Sequence, residues 1–218
     1  TPDDDVLLAS RAGKAIRFAA DDIREFQSRA STGVRAMKLG AQKDGGGDEV
    51  ISLSILKRVG TTPEEREEYL RFAPWKPEKE GEPTLSPERL AEMAEREQFI
   101  LTVCANGYGK LSSAYGYRRT GRGGQGITNI DNIERNGPVV ASFPATKGDQ
   151  LMLVTDQAKL IRMPLDSLRV LGRGTAGVRL FNVDDNEHVV GAARIEESDE
   201  DGENQEGEEN NLANNPTD

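Results

Sequence analysis

The sequence contains one cysteine, one histidine, few aromatic residues and no long apolar run. The lone cysteine, Cys104, excludes an internal disulfide framework, and with His188 as the only histidine it argues against a zinc site. Hydrophobic residues make up 35% of the 218 residues and aromatic residues 5%, which is little for a helical core. No apolar stretch approaches the roughly 18 residues of a membrane helix, and the acidic N-terminus does not look like a secretory signal. We therefore predict a cytoplasmic protein that does not contact a membrane.

The formal net charge of -10 is concentrated at the C-terminus. From Glu196 onward there are ten acidic residues and no basic one, and Leu212 is the only large apolar residue. The rest of the chain carries 28 residues of each sign, and within it residues 98–195 hold 12 basic and 8 acidic residues. The sequence thus predicts a disordered acidic tail, 196–218, behind a mildly basic body.

Glycine is abundant, with 23 residues, and several glycines recur in a repeated loop. In three places an arginine stands four residues before a glycine, and a β-branched residue follows: Arg29–Gly33, Arg122–Gly126 and Arg173–Gly177. Short apolar or alternating runs flank each loop in the same order, including a run at 34–39 after the first one. The last two loops are 51 residues apart. Units of about 50 residues with about four strands are typical of blades in a radial β array.

We therefore predict an all-β fold of propeller-like (β-pinwheel) blades. The blades are 1–56, 98–147 and 148–195, with an insertion at 57–97. Thr62-Pro63-Glu64-Glu65 and Ser86-Pro87-Glu88 each have the residues that start a helix, so the insertion should be partly helical. Matching Gly13-Lys14-Ala15 with Gly109-Lys110-Leu111 places Lys14, Lys110 and Lys159 at one position of the repeat.

Two glycine loops match the dinucleotide fingerprint G-x-G-x-x-G, at Gly121–Gly126 and at Gly172–Gly177. That fingerprint requires a strand before it and a helix after it. Each loop here is followed by a short β-branched run and a turn, so nucleotide binding is disfavoured. The glycines suit tight turns instead.

The basic residues of the loops and of the neighbouring strands are the candidate binding residues. Turns do not need several arginines, whereas Arg beside a glycine-rich backbone suits phosphate. A solvated charged loop, or edge-strand lysines that discourage aggregation, are the plain alternatives. The predicted DNA-binding residues are Lys14, Arg17, Arg29, Arg35, Lys110, Arg118, Arg119, Arg122, Lys159, Arg162, Arg173 and Arg179.

Other chemistry is weakly indicated. Tyr108, Tyr115 and Tyr117 lie near the basic loop, where packing is favoured over stacking on bases. Cys104 falls within an apolar strand and should be a buried, inert thiol. We find no catalytic constellation, so this chain itself is expected to be non-catalytic, with no metal and no cofactor of its own.

Three spaced strings resemble the C-terminal domain of the bacterial DNA gyrase A subunit. They are Asn106-Gly107-Tyr108-Gly109-Lys110 with the loop to Gly126-Ile127-x-x-Ile130, Thr155-Asp156-x-x-Lys159-Leu160-Ile161-Arg162 with the loop to Gly177-Val178, and Ser31-Thr32-Gly33-Val34-Arg35. The resemblance covers about 150 residues. It implies the last three blades of a six-bladed β-pinwheel whose basic rim wraps duplex DNA. The acidic tail is also typical of that family.

The resemblance further implies a role in ATP-dependent negative supercoiling by a type IIA topoisomerase. The partners would be the gyrase B subunit, in an A2B2 assembly, together with the remainder of the gyrase A subunit, with ATP and Mg on other domains. The family's heptapeptide Gln-Arg-Arg-Gly-Gly-Lys-Gly is matched only at Arg122, Gly123, Gly124 and Gly126. A propeller-like protein-interaction module and the equivalent domain in the A-type subunit of topoisomerase IV are the alternatives.

Overall fold

Eleven β-strands and two α-helices form the described part of the chain in the computed structural model, which covers residues 1–40, 47–131 and 134–196. The strands are β1 (Asp4–Ser10), β2 (Lys14–Ala19), β3 (Val50–Lys57), β4 (Phe99–Cys104), β5 (Tyr108–Ser113), β6 (Ile127–Thr128), β7 (Val139–Ala145), β8 (Gln150–Thr155), β9 (Leu160–Pro164), β10 (Val178–Arg179) and β11 (Val189–Ile195). The helices are α1 (Pro63–Phe72) and α2 (Pro87–Glu95). The predicted all-β fold with a partly helical insertion is confirmed. The predicted acidic tail lies outside the described residues, apart from Glu196.

The strands form three antiparallel sheets, one for each repeat unit. Their orders are β3-β1-β2-β6, β10-β5-β4-β7 and β11-β8-β9. The central strands β1 and β4 are almost wholly buried, because each has a strand on both sides and packs against a neighbouring unit.

Adjacent units exchange strands. β6 follows the loop of the second unit, yet it pairs with β2 of the first unit, through Lys14 opposite Thr128. In the same way β10 of the third unit pairs with β5 of the second, through Tyr108 opposite Arg179. Each of the first two sheets thus takes its fourth strand from the unit that follows.

The predicted strand at 34–39 is wrong, and the exchange explains why. Its equivalents β6 and β10 become strands by pairing with a preceding unit. The described residues include no unit before the first one, so 34–39 has no sheet to join among them. Its backbone instead bonds the loop of the second unit, with Gly123 N–H donating to Ala36 O (2.6 Å) and Lys38 N–H to Gly124 O (2.8 Å).

The predicted equivalence of Lys14, Lys110 and Lys159 is also wrong, by two residues at Lys110. The first hairpin turns at Gly13 (φ 80°), the second at Gly107 (φ 77°) and the third at Ala158 (φ 60°). The residue after each turn is therefore Lys14, Tyr108 or Lys159. Lys110 instead corresponds to Ile16, and this difference decides its environment.

The insertion docks onto the second unit through an apolar cluster. Tyr69 of α1 packs against Tyr115, with ring centroids 4.8 Å apart. Trp75 donates its indole N–H to Glu97 Oε2 (3.0 Å) at the edge of the same cluster. The predicted helix start is confirmed, since Thr62 and Glu65 form a reciprocal capping box. The insertion is therefore held against the sheets by a small core of its own.

Candidate nucleic-acid interface

Two equivalent loops cross from one unit to the preceding one. The first inter-unit loop (117–126) lies along β2, with Thr120 N–H donating to Arg17 O (2.8 Å). The second (170–177) lies along β5, with Leu171 N–H donating to Leu111 O (2.8 Å). Both loops therefore lie directly on the preceding unit's sheet and share its backbone hydrogen bonding.

The last glycine of each loop is required by this close approach. Gly126 and Gly177 have φ of 72° and 79°. A Cβ on Gly177 would lie 2.6 Å from Gly109 O, and one on Gly126 would collide with the backbone of Ala15. These glycines are architectural, as the fingerprint's missing helix suggested.

One arginine in each loop clamps the preceding unit. Arg122 donates from Nε to Asp22 O (3.1 Å) and from Nη1 to Arg35 O (3.2 Å). Arg173 makes the same two bonds one unit later, from Nε to Gly116 O (3.0 Å) and from Nη1 to Thr128 O.

The two acceptors of each clamp hold equivalent positions. Asp22 and Gly116 each end a short 3₁₀ turn. Arg35 and Thr128 each lie two residues after a left-handed glycine. The repeated arginine is thus an architectural residue that joins two units, a role that the sequence interpretation did not consider. Arg29 holds the same position in the first unit, and the described residues offer its side chain no carbonyl to clamp.

Exposed basic side chains gather at the first inter-unit loop. Arg118 and Arg119 are exposed at the start of the first loop. The loop's bonds to Ala36 and Lys38 bring Arg35 and Lys38 beside it. We call Arg35, Lys38, Arg118, Arg119 and Arg122 the arginine surface.

The charges of the arginine surface are largely uncompensated. Among the described residues, the side chains of Arg35, Lys38 and Arg118 have no hydrogen-bond or ion-pair partner, and Arg119 reaches only Asp5 Oδ1, at 4.0 Å. These guanidinium and ammonium groups are available to a ligand without first breaking an internal ion pair.

Two predicted DNA-binding residues are buried instead. Lys110 is 0% exposed, and its ammonium donates to the carbonyls of Gly172 (2.9 Å), Thr175 (3.0 Å) and Arg173. Burial, and the nearby charge of Arg173, lower the pKa of Lys110 to about 7. Arg17 is 8% exposed and donates from Nε to Asp5 Oδ2 (2.8 Å). Neither side chain reaches the surface, and Lys110 holds the second loop from beneath.

Two predicted DNA-binding residues of the third unit, Lys159 and Arg162, are exposed but already bonded within the chain. Lys159 contacts Glu187 Oε2 (2.8 Å) and Asp184, and these bonds raise its pKa. Arg162 donates to Gln150 Oε1. Lys14 of the first unit is exposed and makes only a long bond, 3.4 Å, to Thr128 Oγ1. Lys159 and Arg162 thus already have partners, whereas the first inter-unit loop brings several unpaired cations together.

A second exposed group centres on Tyr108. Arg179 donates from Nη2 to the Tyr108 hydroxyl (2.7 Å), and its guanidinium lies 5.3 Å from the ring centroid. Arg135 lies over the same ring at 4.9 Å. The sequence interpretation missed Arg135, because only the tertiary fold brings it to Tyr108. Tyr115 and Tyr117 are buried, so packing is confirmed for these two tyrosines.

The other candidate chemistry finds no support among the described residues. Cys104 is fully buried, and burial raises the pKa of its thiol to about 12. In the described ranges no three His, Cys, Asp or Glu side chains come together as metal ligands would. Neither helix of the described part has the length and apolar run that a membrane crossing requires. The arginine surface is therefore the arrangement best suited to binding an extended anion.

Comparison with known proteins agrees with this geometry. The family model "DNA gyrase C-terminal domain, beta-propeller" matches residues 4–57, 98–146 and 149–196. The chain is 48% identical over 220 residues to the DNA gyrase A subunit of Granulibacter bethesdensis, covering 90% of this chain and 23% of that protein. It is 46% identical over 222 residues to the DNA gyrase A subunit of Rickettsia conorii, covering 96% and 24%. The chain thus spans about a quarter of the length of these relatives.

Solved structures show the same fold at low sequence identity. The C-terminal domain of a DNA topoisomerase IV superposes with a TM-score of 0.62 at 15% identity, covering 89% of this chain and 47% of that one. The C-terminal domain of E. coli ParC superposes with a TM-score of 0.54 at 12% identity, covering 90% and 64%. With strand-exchanged units, arginine-glycine loops and a family match over most of its length, the chain belongs to the DNA gyrase C-terminal domain, beta-propeller family.

Proposed function

We propose that this chain binds duplex DNA through its phosphate backbone and bends it, as the wrapping part of a DNA gyrase A subunit. The observation that carries the proposal is the arginine surface, where the side chains of Arg35, Lys38 and Arg118 have no partner among the described residues. Arginine and lysine side chains free of internal ion pairs bind phosphates without base recognition. Lys14, Arg29, Arg135 and Arg179 are exposed and extend the candidate contacts along the chain.

In the full enzyme this binding would support ATP-dependent negative supercoiling. The partners would be the gyrase B subunit, in an A2B2 assembly, together with the remainder of the gyrase A subunit, with ATP and Mg bound on other domains, in the cytoplasm. The relatives of highest identity given above are gyrase A subunits, which favours gyrase over topoisomerase IV as the parent enzyme.

The test is duplex binding by fluorescence anisotropy as a function of salt. The variant Arg118→Gln/Arg119→Gln should reduce the slope of log K against log salt by about 1.8, since each phosphate contact contributes about 0.9. The matched control is Lys159→Gln/Arg162→Gln, which removes two exposed cations that are already paired internally. The control should leave the slope nearly unchanged.

Wrapping is measured separately from binding. Closing a nicked plasmid with ligase in the presence of the chain should shift its linking number, as bending around a curved surface requires. Equal salt slopes for both double variants would contradict the arginine surface. Failure of the parent chain to bind duplex at low salt would instead favour the protein-interaction module.

A further inference from the structure

A cavity of about 280 Å³ lies between the insertion and the first two units, and its lining includes four arginines. Its charged residues are Asp5, Arg17, Arg58, Arg66 and Arg119. Four guanidinium groups therefore face one carboxylate. Lining residues 58–66 lie outside the segments that match the family model, so the cavity exists only because the insertion covers the sheet.

The single carboxylate is already fully used. Asp5 is 1% exposed and accepts from Arg17 Nε (2.8 Å) and Arg58 Nε (3.2 Å). Arg58 also contacts Asp21 Oδ1 (3.1 Å), which does not line the cavity. Two positive charges remain, because Arg119 is 4.0 Å from Asp5 and the Arg66 guanidinium has no hydrogen-bond or ion-pair partner among the described residues.

The surplus positive charge affects the pKa of Arg17, the most buried arginine of the cavity. The pKa of Arg17 is lowered mainly by burial, and the positive charges of Arg66 and Arg119 lower it further. The α1 N-terminus is not the anion ligand, because the Thr62 side chain already caps it. What the cavity lacks is a second anion.

The walls favour a charged ligand held by the arginines alone. Tyr115 and Tyr117 present buried rings, and their hydroxyls donate elsewhere, to Met93 O (3.0 Å) and Asn129 Oδ1 (2.6 Å). Apolar walls strengthen the attraction between a guanidinium and an anion. Guanidinium groups match the oxygens of phosphate, and the volume is close to the roughly 300 Å³ at which small-molecule sites begin.

We propose that this cavity is a phosphate-binding site, built jointly by the insertion and the first two units, that takes a phosphate group of a nucleic-acid backbone or of a free phosphorylated molecule. The site is distinct from the arginine surface except for Arg119, which borders both. Arg58 and Arg66 come from the insertion, while Arg17 and Arg119 belong to the repeat units. The insertion thereby acquires a binding role.

The test uses thermal unfolding of the 218-residue chain in inorganic phosphate and in pyrophosphate, each against chloride at equal ionic strength. Both phosphates should raise the transition temperature of the parent, because a ligand that binds only the folded state stabilises it. Arg66→Gln should weaken phosphate binding on the order of tenfold or more, through loss of a charge-assisted contact. Arg71→Gln is the matched control, since Arg71 is exposed on the same helix and outside the cavity. It should respond like the parent.

Duplex binding by the same variants identifies the source of the phosphate. A salt slope that falls by about 0.9 in Arg66→Gln but not in Arg71→Gln supports a backbone phosphate. An unchanged slope together with a lost phosphate response supports a free phosphorylated molecule. An equal phosphate response in Arg66→Gln and Arg71→Gln, or none in the parent, would overturn the site. If the parent chain responds to phosphate but does not bind duplex DNA, the result counts against the proposed function and not against the phosphate site in the cavity.

Discussion

The two inter-unit loops have the same backbone and different chemistry. Each ends in a left-handed glycine and clamps the preceding unit with one arginine, Arg122 or Arg173. Beneath the first loop lies Ile16, whose side chain approaches Gly124, whereas beneath the second lies the Lys110 ammonium. The first loop exposes the side chains of Arg118 and Arg119 to solvent, whereas the second loop covers the buried ammonium group of Lys110.

This difference separates architecture from function. Arg122 and Arg173 hold the same loop position and bond backbone carbonyls of the preceding unit. Arg118 and its equivalent Arg169, 51 residues later, are exposed, and their side chains have no partner in the described chain. Hydrogen bonding, and not repetition, therefore distinguishes the architectural arginines from those open to a ligand.

The largest expected effect comes from removing the enclosed cation. Lys110→Met leaves three carbonyls of the second loop without their donor and should lower the free energy of unfolding by about 3 kcal/mol. Ile16→Met, at the equivalent position under the first loop, exchanges one apolar side chain for another and should cost less than about 1.5 kcal/mol. Urea unfolding of both variants measures the contrast. Similar midpoints would mean that Lys110 does not support the second loop.

A middle-sized effect is expected from the clamp arginines. Arg173→Gln removes two charged donors in a half-buried setting and should cost about 1.5 kcal/mol in the free energy of unfolding. Arg122→Gln removes the same two bonds from an exposed position, so its cost should be smaller. The same urea experiment ranks them, with Arg169→Gln as an exposed arginine that has no bond in the described chain. If Arg122→Gln lowered the free energy of unfolding more than Arg173→Gln does, solvent exposure would not explain the difference between the two clamp arginines.

The smallest effect is expected at Gly121 and at its equivalent Gly172, 51 residues later. Neither has a positive φ, and a Cβ would meet nothing within 4 Å at Gly121 and only the Thr175 side chain, at 3.7 Å, at Gly172. Replacing either by alanine should stabilise the chain by about 0.5 kcal/mol, through the lower entropy of the unfolded state. Thermal unfolding checks this. A loss of stability in one loop only would reveal a constraint on that glycine absent from its counterpart.

Much of the fold could be predicted from the sequence because its cues are local. Alternating and apolar runs mark the paired strands, and Thr62 with Glu65 marks the helix start. The prediction of a strand at 34–39 was wrong because this segment forms a strand only when it pairs with a sheet of another unit. No local sequence pattern shows whether that sheet is present. The match of Lys14 to Lys110 misled because two glycines, Gly107 and Gly109, lie two residues apart, and only the φ of Gly107 shows which one turns the chain.

The candidate site could be predicted less completely. The sequence indicated Arg118 and Arg119 as binding residues, and the structure leaves both exposed. The sequence could not separate Arg118 and Arg119 from Arg122 and Arg173, because it records the residue type and not the partner of each guanidinium group. The cavity of Arg58 and Arg66 gave no signal at all, because its residues come together only when the insertion folds back.

Strand exchange also governs how the units lose their structure. The first sheet contains β6, which is covalently part of the second unit, and the second sheet contains β10 of the third. Melting one unit therefore strips an edge strand and a clamp arginine from its predecessor. Because each sheet depends on the unit that follows it, the unfolding of one unit destabilises the unit before it. We therefore expect the units to unfold cooperatively, and not each according to its own stability.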